Sequence, residues 1–167
     1  MTSAPTRDRT PPGATLHDVG QVPWRDLTDV TGCAAAIPYL LAAIASGDDA
    51  AARTGVDRLR HRICQYGFVV GEATPATVPF LWHLAQRPQV TCRAQLLRLL
   101  RSIAGARQWE AVAATSPKAR RRHDDQLGWE SAARRAVRDH GGAMPRLLAD
   151  RDAELVRLAE ELACLIF

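Results

Sequence analysis

The residues with the chemistry to act as ligands, bases or nucleophiles are scattered. His17, His61, His83, His123 and His140 show no HxxxH or HxxE spacing. The acidic residues form no pair embedded in an apolar run, and there is no glycine-rich phosphate loop or nucleophile elbow. Cys33, Cys64, Cys92 and Cys164 lie far apart, with no CxxC pair and no histidine at zinc spacing. They read as buried thiols of a reducing compartment. The expectation is a chain that is not an enzyme, with no catalytic residues, no metal and no cofactor.

The cationic and aromatic side chains remain. Arg58 and His61 fall opposite the apolar stripe Ala52, Val56, Leu59, Ile63, and Arg98 and Arg101 fall opposite the stripe Leu96, Leu99, Leu100, Ile103. Stacked side by side, the second helices of the units would form one wall, which Arg157, Glu160 and Glu161 would continue in the last unit, so that it runs from basic to mixed charge. Trp109 and Trp129 flank the basic run Lys118 to His123 and are candidate partner anchors, because tryptophan and arginine most often carry interface energy. Trp82 lies inside an apolar helix and is expected to pack between elements. The basic run could touch phosphates, but two acids follow it and no aromatic is interleaved, so it reads as a solvated, mobile loop. With 22 Lys and Arg against 18 Asp and Glu, the net charge of +4 supports only weak, non-specific nucleic-acid binding.

The elements that must hold these side chains follow from a repeat. Ala35-Ala36-Ile37-Pro38-Tyr39-Leu40 recurs as Ala76-Thr77-Val78-Pro79-Phe80-Leu81, and more loosely as Gly142-Ala143-Met144-Pro145-Arg146-Leu147. Each copy places a proline where a helix can begin, since its missing N–H is unneeded in the first turn. From Pro38 to Pro79 is 41 residues, inside the window of roughly 40 to 47 for paired-helix repeats. Breaks at Ser46-Gly47-Asp48 and Arg87-Pro88 divide the first two units into helix pairs, and Asp150-Arg151-Asp152 divides the last. Pro79 to Pro145 is 66 residues, so an insertion, residues 106–128, precedes the last unit. The fold class is all-α, since only 5% of residues are aromatic and Ala, Leu and Arg abound.

The pattern Ala-x-x-Pro-x-Leu-Leu, Ser46-Gly47-Asp48, Gln65-Tyr66-Gly67, Ala73 to Leu81, and Asp150-x-Asp152 with Val156-Arg157 resembles the bacterial HEAT-repeat proteins common in actinomycetes, over about residues 23–167. Tyr66 departs from that pattern, standing where a more polar residue is frequent, and Arg157 is not followed by the usual small apolar residue. The resemblance implies a short HEAT-like α-solenoid of about three helix pairs, and an interaction role without catalytic residues. The leading expectation is therefore a non-catalytic protein-binding module, a scaffold or adaptor. The alternatives are an immunity or antitoxin protein that blocks a toxin, and a nucleic-acid-binding HEAT-like protein related to DNA glycosylases.

Residues 1–22 carry Pro5, Pro11, Pro12 and Gly13 without periodicity and are expected to form a flexible tail ahead of a 23–167 repeat domain. Trp24 and Leu27 would cap the first repeat. No signal peptide is evident, and the longest apolar run, Ile37 to Ala45, is too short to cross a bilayer, so the expected location is cytoplasmic, with no membrane partner.

Overall fold

The computed structural model describes residues 15–167. The fold is all-α: 73% of the described residues are helical against 5% in strands. The first pair is α1 (Ile37–Ser46) and α2 (Asp49–Ile63), the second α3 (Thr74–Ala85) and α4 (Arg93–Ala104), and the last α8 (Met144–Leu148) and α9 (Ala153–Ile166). Between the second and last pairs run α5 (Gln108–Ala113), α6 (Pro117–Arg122) and α7 (Asp124–Asp139). Two short antiparallel hairpins, β1 (Thr28–Asp29) with β2 (Gly32–Cys33) and β3 (Cys64–Gln65) with β4 (Val69–Val70), are the strand content of the described residues.

Local chemistry sets the helix ends. The side chains of Asp48, Ser116 and Asp152 accept hydrogen bonds from the Ala51, Ala119 and Glu154 amides, closing the first turns of α2, α6 and α9. Pro38 and Pro145 stand in the first turns of α1 and α8, each preceded by a 3-10 turn, as the repeat predicts. Pro79 does not. Helix α3 starts five residues earlier, with Pro75 in its first turn, because the buried Thr74 hydroxyl donates to the Ile63 carbonyl (2.6 Å) and accepts from the Gly71 amide (3.0 Å). Pro79 then sits mid-helix, where its missing N–H removes a ladder bond. Packing overrides that loss, since ten of the twelve α3 residues are buried.

Helix α3 is the centre of the core. It packs on α1, α4 and α7, while α4 packs on α9 and α7 and makes a smaller contact with α2. Phe80, Leu81, Trp82, Leu96, Leu97 and Leu100 fill the space between these helices. Trp82 packs between elements as expected, its indole N–H donating to the Val137 carbonyl of α7 (3.1 Å). Gly55 lets α2 approach α1: a Cβ there would stand 3.0 Å from Ile44 Cγ1.

Residues 15–22 differ from the expected tail, the rest of which lies outside the described residues. A 3-10 helix, Leu16–Gln21, lays Leu16 and Val19 on the core, and the Val19 carbonyl accepts from the indole of the buried Trp24 (2.8 Å), whose ring lies 6.2 Å from that of Phe80. Leu16, Val19 and Val22, three residues apart, hold the segment, and three positions are too few to show as a period. Asp29 in turn receives Arg62 Nη1 (2.9 Å), and the Val30 amide donates to the Arg62 carbonyl (2.8 Å), stitching β1 to the end of α2.

The insertion, expected to be a mobile loop over its basic run, is helical there. Its anchor is Glu130 of α7, 1% exposed, whose carboxylate accepts from the Trp109 and Glu110 amides (2.9 and 3.0 Å). Two otherwise orphaned donors in the first turn of α5 are thereby satisfied. The basic run forms α6, whose arginines reach solvent from a helix rather than a coil. The thiols also divide: Cys64 and Cys92 are buried, whereas Cys33 and Cys164 are exposed, contrary to expectation.

Candidate protein-docking face

On the outer side of the first helix pair, Tyr39 of α1 is 77% exposed. It lies off the buried stripe Ile37, Leu41, Ile44 because it is two residues past Ile37. Tyr39 and Leu40 face Asp57, Arg58 and His61 of α2 across an open concavity of about 600 Å³. A second concavity of about 370 Å³ adjoins it, lined by Asp57, Arg60, His61, Tyr66 and Gly67. His61 and Asp57 therefore lie on the ridge between two hollows.

The far rim is the turn that joins β3 to β4. The Gly67 and Phe68 amides donate to the carbonyls of Cys64 and Gln65, and both central residues have positive φ, +57° at Tyr66 and +83° at Gly67. Gln65 pairs with Val69, so Tyr66, Gly67 and Phe68 make the turn, and its two successive left-handed residues favour glycine or asparagine. Glycine at 67 meets the requirement; tyrosine at 66 does not, since a Cβ in the left-handed region crowds the following carbonyl. The strained residue also gains little burial. Tyr66 is 77% exposed, and its ring lies 6.1 Å from that of Phe68, itself 45% exposed.

The charges on this face are unequal in freedom. Arg60 pairs with Asp57 (3.7 Å) and Arg62 with Asp29 (2.9 Å), whereas Arg58 and His61 have no ion pair among the described residues. The expected wall therefore divides at α2. Arg98 pairs with Glu154, and Arg101 with Glu161 (2.8 Å), which also holds Arg157 (2.7 Å). The reason is tertiary: α9 lies against α4 and brings its acids to these arginines, and spacing within α4 carries no sign of that.

Trp109 and Trp129 are not alike either. Trp109 is half-buried, its indole N–H donating to the Val70 carbonyl (3.2 Å) and its ring stacking on His123 at 5.3 Å. It braces β4 instead of standing free. Trp129 is half-buried on α7. Sequence reasoning missed Tyr39, Tyr66 and Phe68; the offset of Tyr39 from its stripe and a tyrosine before Gly67 were the available signals.

Burial pushes the Cys64 thiol up to about 12, against a smaller opposing pull from Arg60, and burial likewise raises Cys92. A thiol held protonated is a poor nucleophile. Among the described residues no three His, Cys, Asp or Glu side chains gather closely enough to hold a metal ion. No described helix is long and apolar enough to cross a membrane. No known protein family, curated protein or solved structure matches the chain.

Proposed function

We propose that the chain is a non-catalytic, HEAT-like helical-repeat module that binds a protein partner through Tyr39, Arg58, His61, Tyr66 and Phe68. The observation that carries this reading is Tyr66, an aromatic ring held in solvent on a left-handed backbone beside His61, which has no ion pair among the described residues. Strain of this kind persists where the surroundings over-determine it and collects at ligand clamps. The three helix pairs, with α1 and α2 set against α3 and α4, support the repeat reading. Exposed tyrosine and arginine around a concavity suit a protein surface, because both are enriched among interface hot spots and tyrosine buries large area with little loss of rotamer freedom. Polynucleotide binding has less support: Arg58 is the arginine lining these hollows that has no ion pair, and phosphate contacts need several cations.

The test is a comparison of three immobilised proteins: wild type, Tyr39→Ala with Tyr66→Ala, and Arg120→Ala on α6. A protein retained by the first and third columns and lost from the second supports the face. Equal retention by all three moves the interface elsewhere.

A further inference from the structure

A second site lies on α7. Ser131, Arg134, Arg135 and Arg138 follow at i, i+3, i+4 and i+7, which puts them on one side of the helix. Together with Arg107 they line a concavity of about 230 Å³, closed by Leu165 and Ile166 of α9. It shares no residue with the docking face.

The charges in this hollow do not cancel. Arg107 and Arg134 both reach Glu110 Oε2 (3.0 and 3.2 Å), and Arg134 lies 3.4 Å from Glu130 Oε1. Glu130 is already occupied by two backbone amides. Arg135 and Arg138 have no acidic partner among the described residues. Four guanidinium groups thus meet two carboxylates, an excess of two positive charges in a small space. Like charges three and four residues apart on a helix repel, so the arrangement is unfavourable until an anion enters.

We propose that this concavity binds a small phosphate-bearing anion, with Arg135 and Arg138 as its principal ligands, Arg107 and Arg134 as flanking charges, and the Ser131 hydroxyl as a further donor. Phosphate fits better than a single carboxylate because it carries up to two charges and several oxygens, and the planar fork of arginine grips it bidentately. The volume fits one or two phosphate groups, below the roughly 300 Å³ at which pockets for drug-sized ligands begin.

Calorimetric titration tests the site with pyrophosphate, inorganic phosphate and glycerol phosphate, at one ionic strength held with sodium chloride. The proteins are wild type, Arg135→Gln with Arg138→Gln, and an Arg120→Gln with Arg121→Gln control that removes the same net charge from α6. Saturable binding to wild type and control, weakened about tenfold or more in the α7 variant, is the expected result. Preference for inorganic phosphate or pyrophosphate over glycerol phosphate identifies a free ion, and the reverse a phosphate ester; each supports the site. The altered arginines are exposed and mutually repulsive, so the variant melts no lower than wild type, and Arg138→Gln alone repeats the test with half the change. Equal weakening in the α6 control, absence of saturable binding, or tighter binding of a single-stranded oligonucleotide that survives the α7 substitutions overturns the proposal.

Discussion

Replacing Tyr66 by asparagine separates what the turn needs from what the docking face needs. A non-glycine residue in the left-handed region carries roughly 1–2 kcal/mol of strain, of which asparagine, tolerant of that region, relieves a large part. The loss on the other side is small. Tyr66 is 77% exposed, so little burial disappears, and its tilted contact with the half-exposed Phe68 is worth about 0.5 kcal/mol, the low end for aromatic pairs. The net expectation is a gain of about 0.5–1 kcal/mol in unfolding free energy, which for a chain of this size raises Tm by roughly 1–4 °C. Urea denaturation read by far-ultraviolet circular dichroism measures it, with the slope against denaturant unchanged. The same variant should bind its partner more weakly, the pattern of a residue kept for recognition at the expense of stability. A Tyr66→Asn protein less stable than wild type refutes the reasoning, because the ring would then contribute more to the fold than its backbone strain removes.

Glu130→Ala leaves two amide donors and Arg134 without their buried acceptor, so it should destabilise by about 3–5 kcal/mol, with hydrogen exchange quickening first over residues 108–113. Leu99→Ala and Leu59→Ala should each lower stability by about 2–5 kcal/mol through the cavity they leave, whereas Arg120→Ala should leave denaturant melts almost unchanged. Reversing Arg98 and Arg101 to glutamate sets them against Glu154 and Glu161 and should reduce stability by roughly 1–2 kcal/mol while partner binding survives; lost binding with an intact fold would extend the face to α4. On acidification stability should fall in two stages. His83 is held below its usual 6.5 by burial, then by Arg87 and His17, so its contribution is present above 6.5 and fades as pH drops through its lowered value. Asp150 is held below 3.8 by the Asp152 amide, then by Arg93, so its share is lost below 3.8; a His83→Gln variant whose melts still show the first stage would reject that assignment.

The all-α class and the helix pairs were legible because apolar stripes such as Leu96, Leu99, Leu100, Ile103 record burial directly in residue spacing. The same spacing named Arg58 and His61 as outward-facing, and both are exposed. What spacing does not record is which helix arrives opposite. Arg98 and Arg101 face outward from the core of their own pair, yet Glu154 and Glu161 stand more than fifty residues on and meet them only through the packing of α9. The start of α3 was obscured for a similar reason: Thr74 is a helix beginning because its hydroxyl finds the carbonyl of Ile63, a bond across a hairpin that no local pattern announces. The basic run read as a loop because Lys118 to Arg122 lacks an apolar stripe, and its helix is instead capped by Ser116 and held to the body through its neighbour α5.

The hairpin that carries Tyr66 is fastened at both ends by bonds from three separate parts of the chain. Before it, the Arg62 carbonyl accepts from Val30 and the Ile63 carbonyl from Thr74; after it, the Val70 carbonyl accepts from the Trp109 indole and the Gly71 amide donates to Thr74. Cys64 and Val70, paired across the ladder, are both buried. Relaxing Tyr66 to an ordinary backbone conformation would change the turn and break this register, so the strain is smaller than the contacts that enforce it. A backbone fixed in this way loses little freedom when a partner covers the ring, and binding then draws on buried aromatic area without the ordering that a flexible loop requires. Trp109 has its place in that scheme as a brace for β4, so the insertion would serve the proposed docking face through the stiffness it lends to the hairpin.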